Sequence, residues 1–204
     1  MHFHHSLDLT FRGNRDYLHG TDVYTSLVNL YPNEAGSSAI SLSFHSQIFT
    51  QIDFVGTAPG TNVPEQDQPA FRGRVSIGTG STAVHGVLME SDRPVTARRI
   101  CNERSVIAAA MVDTEKRCAR LQPEVEADAI DQVVFLNKQL HQVALPASST
   151  PWLFARLELK YALPQPGAGG FEVQINQVLG GRFTRSSIRL NEEFLGNIYF
   201  AQSL

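Results

Sequence analysis

Apolar and polar residues alternate with period two along much of the chain, and each such stretch predicts a strand with one face on a core. Leu7, Leu9 and Phe11 fall on one side, with Asp8, Thr10 and Arg12 on the other, until Gly13-Asn14 breaks the run. Ile40, Leu42 and Phe44 alternate with serines and His45, and Ile48, Ile52 and Phe54 extend the apolar content to Val55. Residues 38–55 therefore read as one bent strand or as two. A hairpin is predicted over Phe71–Ile77 and Ser81–Met89, turned at Gly78-Thr79-Gly80. The strongest strand runs from Trp152 to Leu163, with Leu153, Ala155, Leu157, Leu159, Tyr161 and Leu163 on one face. A second hairpin joins Phe171–Leu179 to Arg182–Leu190 through Gly180-Gly181, a pair suited to a type I′ turn, and Leu195–Ala201 is the last strand.

The period changes in two places. Val23, Leu27, Val28 and Leu30, with Tyr24 and Tyr31, predict a short amphipathic helix with Thr21 as N-cap, ended by Pro32. Ile130, Val133, Val134, Leu140 and Val143 predict a longer helix over Ala129–Leu145, preceded by acidic residues and stopped by Pro146. Residues 105–121 fit either a helix, on their alanines, or a hairpin turned at Asp113–Lys116, and Val106-Ile107 tilts the reading to the hairpin. Residues 56–69 and 164–170, rich in Gly and Pro, read as loops.

The same order appears twice: a helix, a long strand, a loop, a glycine-turned hairpin and a further strand. The expected fold class is α+β, a mainly antiparallel sheet wrapping one or two helices. The expected organisation is a single compact domain over 1–204, or two structural repeats over about 1–95 and 96–204.

Composition narrows the function classes. A net charge of −3 gives no electrostatic reason to expect nucleic acid or an anionic membrane. No apolar run has membrane-spanning length, and no secretory leader or glycosylation acceptor is read. Two cysteines, Cys101 and Cys118, read as reduced thiols. The expected location is therefore cytoplasmic. The N-terminal histidines, His2, His4 and His5, lack a Cys or carboxylate cluster at ligand spacing, so no metal and no cofactor is expected.

Two stretches carry a family resemblance. Leu9-Thr10-Phe11-Arg12 leading into Arg15-Asp16-Tyr17-Leu18-His19-Gly20-Thr21-Asp22 resembles the strand, turn and helix start where hotdog-fold thioesterases and dehydratases carry polar catalytic residues. Asn191–Ala201 is similar to a stretch of double-hotdog proteins from polyketide pathways. The resemblance implies an acyl-thioester-acting or acyl-thioester-binding protein, thioesterase-like or dehydratase-like. Its partners would be a small acyl thioester or an acyl carrier protein, and it can form a homodimer. The alternative is a non-catalytic small-ligand-binding or assembly protein on an α+β barrel.

On this reading the site lies at the first helix start. Unpaired N–H groups there can hold a thioester carbonyl as negative charge develops on it. His19 serves as general acid or base, and Asp16 or Asp22 orients it or activates water. Gly20 lets substrate approach the backbone, with Arg15, Tyr17 and Thr21 as binding residues. The same residue types are common in plain helix starts. His45, His85 and His141 read as surface or satisfied histidines, and Asp131 with Glu126 is not read as a catalytic pair. The Gly78–Thr82 run lacks the ending of a phosphate loop.

Overall fold

The structure is a computed structural model and describes residues 2–57, 68–121, 125–164 and 170–202. The chain divides into two compact units, Met1–Cys101 with Lys160–Ala162, and Asn102–Leu159 with Leu163–Leu204. Most of both predicted loops lies outside the described residues.

The first unit holds β1 (His2–Leu7), β2 (Phe11–Arg12), α1 (Gly20–Leu30), α2 (Pro32–Ser37), β3 (Ile40–Phe44), β4 (Ile52–Thr57), β5 (Phe71–Ile77), β6 (Val84–Glu90) and β7 (Arg98–Arg99). Five of these strands pair antiparallel in the order β1-β4-β6-β5-β3. The two short strands β2 and β7 form a separate parallel ribbon. Alternation predicts β5 well: Phe71, Gly73, Val75 and Ile77 are buried and the residues between them are half-buried. The 38–55 region is two strands, and the run at Leu7–Arg12 splits because β1 ends at Leu7. Pro32, expected to end helical structure, occupies the first position of α2, where its missing N–H costs nothing.

The second unit holds α3 (Glu103–Ala108), β8 (Ala110–Asp113), β9 (Cys118–Leu121), α4 (Ala129–Ala144), β10 (Trp152–Leu159), β11 (Phe171–Leu179), β12 (Phe183–Leu190) and β13 (Glu193–Gln202). Its strands pair antiparallel in the order β10-β13-β12-β11-β9-β8. Both readings of residues 105–121 meet part of the outcome. The alanine-rich start is the end of a short helix, and the turn at 114–117 closes a hairpin. The glycines at 180 and 181 take φ +56° and +68°, the left-handed pair that a type I′ turn requires.

α4 is buried on almost every side and packs on β8, β9, β10 and β11. A helix enclosed in this way is the centre of its unit. Near its C-terminal end His141 is buried, stacked on Phe200 at 5.0 Å and edge-on to Trp152 at 4.9 Å. Its Nδ1 lies 2.6 Å from the Asn137 carbonyl and its Nε2 2.6 Å from the Thr184 hydroxyl. A neutral imidazole satisfies both, with Nδ1–H donating to the carbonyl and Nε2 accepting from the hydroxyl. Burial pushes the His141 pKa down from 6.5 to about 4. Among the described residues no helix is long and apolar enough to cross a membrane.

Two predictions follow from this packing. A Cβ at Gly196 would lie 2.0 Å from the Glu158 carbonyl oxygen and 2.8 Å from the Leu159 Cα, backbone atoms of β10 that cannot move aside. Gly196→Ala should therefore lower unfolding free energy by about 1–3 kcal/mol. Gly36→Ala, in α2 with nothing within 4 Å, should raise it by about 0.4–1 kcal/mol. Urea unfolding of both proteins measures the two signs.

The second prediction concerns pH. His141 is held neutral in the fold and titrates near its ordinary value once unfolded, so the unfolded chain binds the extra proton. That contribution to stability is complete above pH 6.5 and is lost as pH falls toward about 4. Denaturant midpoints should drop over this window, and a His141→Gln protein should show a shallower drop.

Candidate functional site

The start of α1 is built around a buried arginine. Parallel pairing of β2 with β7 sets Arg12 beside Arg99. Arg12 is only 2% exposed, so its charge needs a partner inside the protein. Asp22, the third residue of α1 and 6% exposed, supplies it. Arg12 Nε donates to Asp22 Oδ2 at 2.7 Å and Nη2 to Oδ1 at 2.5 Å, the two-pronged geometry that guanidinium and carboxylate favour. Arg99 Nη2 donates to the same Oδ1. Both oxygens of Asp22 are thus engaged by cations, which leaves the carboxylate poorly placed to take a proton from water.

His19 is the residue that begins α1, rather than Thr21. It has extended backbone angles, makes no side-chain cap bond, and its carbonyl accepts the Asp22 N–H at 3.0 Å. The helix is entered two residues earlier than the sequence suggests because Asp22, not Thr21, is fixed from outside. His19 Nδ1 lies 2.8 Å from the Thr21 hydroxyl, and both side chains are buried. The Leu18 N–H donates to the Ile48 carbonyl at 2.7 Å and anchors the turn.

The other predicted residues are spread around this turn. Arg15 is half-buried, with Nη1 3.3 Å from Cys101 Sγ. Arg98 Nη1 donates to the carbonyls of Gly13 and Arg15, at 2.5 and 2.6 Å, while its guanidinium lies over Phe11. Tyr17 and Gly20 are half-buried. Asp16 is exposed and makes no hydrogen bond or ion pair among the described residues. The fold therefore brings His19, Thr21 and Asp22 together and leaves Asp16 outside.

Asp131, not read as part of a catalytic pair from the sequence, is a second buried carboxylate at a helix start. Asp131 is the third residue of α4, as Asp22 is of α1, and it is 8% exposed. Its Oδ1 accepts no hydrogen bond. The entry to α4 is pinned by Gln132, whose Nε2 donates to the carbonyls of Val125 and Ala127. The available signal was a carboxylate placed among Ile130, Val133 and Val134, where an apolar side chain fits the stripe. Aligning the two helices by their third residues exposes the match.

The remaining histidines have partners of their own. His45 packs on Phe71 with ring centres 4.9 Å apart, His85 Nδ1 lies 3.0 Å from the Ser76 hydroxyl, and His4 lies 3.3 Å from Asp53. Among the described residues no group of three or more His, Cys, Asp or Glu gathers as a metal site. Burial pushes the Cys118 thiol pKa up, which keeps it protonated and unreactive.

No protein-family model matches the chain, and no curated protein matches it in sequence. Solved structures do. The dehydratase domain of PpsC from Mycobacterium tuberculosis, in complex with C12:1-CoA, aligns with a TM-score of 0.50 at 10% identity, over 98% of this chain and 92% of that one. The tesB protein of Mycobacterium avium subspecies paratuberculosis aligns at 0.49 and 9% identity, over 98% and 90%. An acyl-ACP thioesterase from Bacteroides thetaiotaomicron aligns at 0.45 and 10% identity, over 98% and 97%. At these identities the likeness concerns the backbone alone. Together with an antiparallel sheet wrapped on α4, it gives this chain the hotdog fold.

Proposed function

We propose that the protein binds and acts on an acyl thioester carried by coenzyme A or an acyl carrier protein. The observation that carries this reading is a shared feature of the two units. Each holds a helix whose third residue is a buried carboxylate, beside first-turn N–H groups with no partner inside the helix. Such N–H groups stabilise an oxyanion forming on a thioester carbonyl. We take the two units as the two halves of a double hotdog.

The two carboxylates have different parts. Asp22 is committed to Arg12 and Arg99 and braces the start of α1. Asp131, whose Oδ1 accepts no hydrogen bond, is the general base. In hydrolysis it takes a proton from water as the water oxygen bonds to the acyl carbon. The carbon–sulfur bond then breaks and the proton passes to the departing thiolate. His19 is the second acid–base candidate, held in place by Thr21. Arg15, Tyr17 and Gly20 line the approach to it, and Asp16 is the outermost candidate. A binding role without catalysis is the second reading, favoured by the complete engagement of Asp22.

The test is free-thiol release from a panel of acyl-CoA and acyl-carrier-protein thioesters, with hydration of enoyl thioesters followed separately. Asp131→Asn should lower turnover by about 10²-fold or more with the melting temperature unchanged. Asp22→Asn should lose roughly 3–5 kcal/mol of stability, because it strands the buried Arg12 charge. Full turnover by Asp131→Asn and none by His19→Ala would move the base to His19. If the wild type binds a thioester but converts none, the binding reading holds.

A further inference from the structure

The net charge of −3 conceals an uneven distribution. From residue 173 to residue 191 the chain carries Arg182, Arg185 and Arg189 and no Asp or Glu. This stretch spans the β11–β12 hairpin apart from the first two residues of β11. Neither Arg182 nor Arg185 pairs with a carboxylate among the described residues. Arg185 Nε donates to the Asn197 amide oxygen at 3.2 Å, a neutral partner. The hairpin therefore presents positive charge that nothing beside it neutralises.

Its end is apolar on both faces. Residues 176–183 are all exposed, although the strands stay paired up to the last pair, Leu179 with Phe183. A ladder whose two faces are both exposed projects beyond the packed part of its unit. Val178 lies opposite Thr184, whose hydroxyl meets His141, so Val178 is on the α4 side of the sheet. Leu179 and Phe183, one residue further along their strands, are on the other side. Val178, Leu179 and Phe183 are 37%, 61% and 49% exposed. A single exposed apolar residue needs no explanation, but three gathered around a turn of two glycines form a patch.

This arrangement suits a lipid surface better than a protein partner. A protein docks against one face of a strand pair, whereas a tip that is apolar all round enters an acyl-chain layer end-on. The backbone there tolerates loss of water, because the Arg182 N–H donates to the Leu179 carbonyl at 3.1 Å and the ladder occupies the strands behind it. Arg182 stands at the edge of the tip, and its long stem lets the guanidinium reach back toward water. Arg185 follows Phe183 by two residues, roughly 6.6 Å back along β12 and on the same face. Apolar side chains thus lead and cations trail them by the depth at which interfacial segments sit, about 5–10 Å. Arginines at that level attract anionic head groups, and the hairpin end has no acid to oppose them.

We infer that the β11–β12 hairpin is a membrane-docking finger. Val178, Leu179 and Phe183 enter the edge of the acyl-chain region of a bilayer containing anionic lipid, and Arg182 and Arg185 meet lipid phosphates. The protein rests on the bilayer through this tip and does not span it.

The test is co-sedimentation of the full chain with vesicles of phosphatidylcholine alone, or mixed equally with phosphatidylglycerol. The wild type should sediment with the mixed vesicles, little with phosphatidylcholine, and less as salt is raised. Leu179→Ser/Phe183→Ser should weaken this binding about tenfold or more. Arg182→Gln/Arg185→Gln should weaken it about tenfold and remove the preference for anionic lipid. Melting temperatures should change little, because these side chains are exposed or half-buried. Phe183→Trp should sediment at least as well as wild type, and lipids brominated on their acyl chains should quench its added fluorescence. No sedimentation with the mixed vesicles, or equal sedimentation by Leu179→Ser/Phe183→Ser, would overturn the inference. So would binding of soluble polyglutamate with no bromolipid quenching of Phe183→Trp, which would mark an acidic protein as the occupant.

Discussion

Arg12 lies almost entirely out of water, and a guanidinium cannot lose its proton to escape the cost of burial. Its charge must be met by a carboxylate, and the details of the α1 start serve that need. The β2–β7 ribbon fixes where the guanidinium points. Asp22 must then fall at the third position of the helix, where the positive end of the helix also favours its charge. That fixes His19 as the entry residue and sets its ring against Thr21. With Arg99 added, two cations share the Asp22 carboxylate. Removing Asp22 would uncover two positive charges at once. Asp22 therefore braces the start of α1.

That distinction separates the two carboxylates. Type, burial and helix position are the same for Asp22 and Asp131, and only their surroundings differ. A buried acid held by arginines stabilises a fold. At the other helix, Asp131 keeps one oxygen, Oδ1, that accepts no hydrogen bond.

Period-two alternation located β5, β10 and the first half of β11 because there the buried and less buried positions alternate, so burial is written in the residue types. The glycine pair at 180–181 was legible for the same local reason. The turn between β12 and β13 was not. Asn191 and Glu192 both take positive φ, at 48° and 74°, and glutamate gives no local signal for that conformation. The pairing of the flanking strands forces it. The ribbon of β2 and β7 was equally hidden, since two residues are too few to show a period and their contact spans most of the first unit. The cluster at 15–22 was visible as polar residues before a helix. Its organisation was not, because it depends on Arg12 and Arg99, one read as a strand's polar face and the other never singled out. Asp131 was set aside as no catalytic pair with Glu126, and its burial was not legible because a carboxylate inside an apolar stripe reads as an interruption of the helix face.

The two helices also show how burial treats polar groups according to what surrounds them. At α1 the buried polar atoms are charged and satisfied in full, so that end of the helix is rigid and its geometry is determined by ion pairing. Along α4 satisfaction is uneven: His141 makes two bonds, Asn137 one turn away offers only its backbone carbonyl and leaves its amide unused, and Asp131 Oδ1 accepts none. Evolution toward stability alone would replace such an amide with leucine, since the site has the shape for it and loses nothing inside the protein.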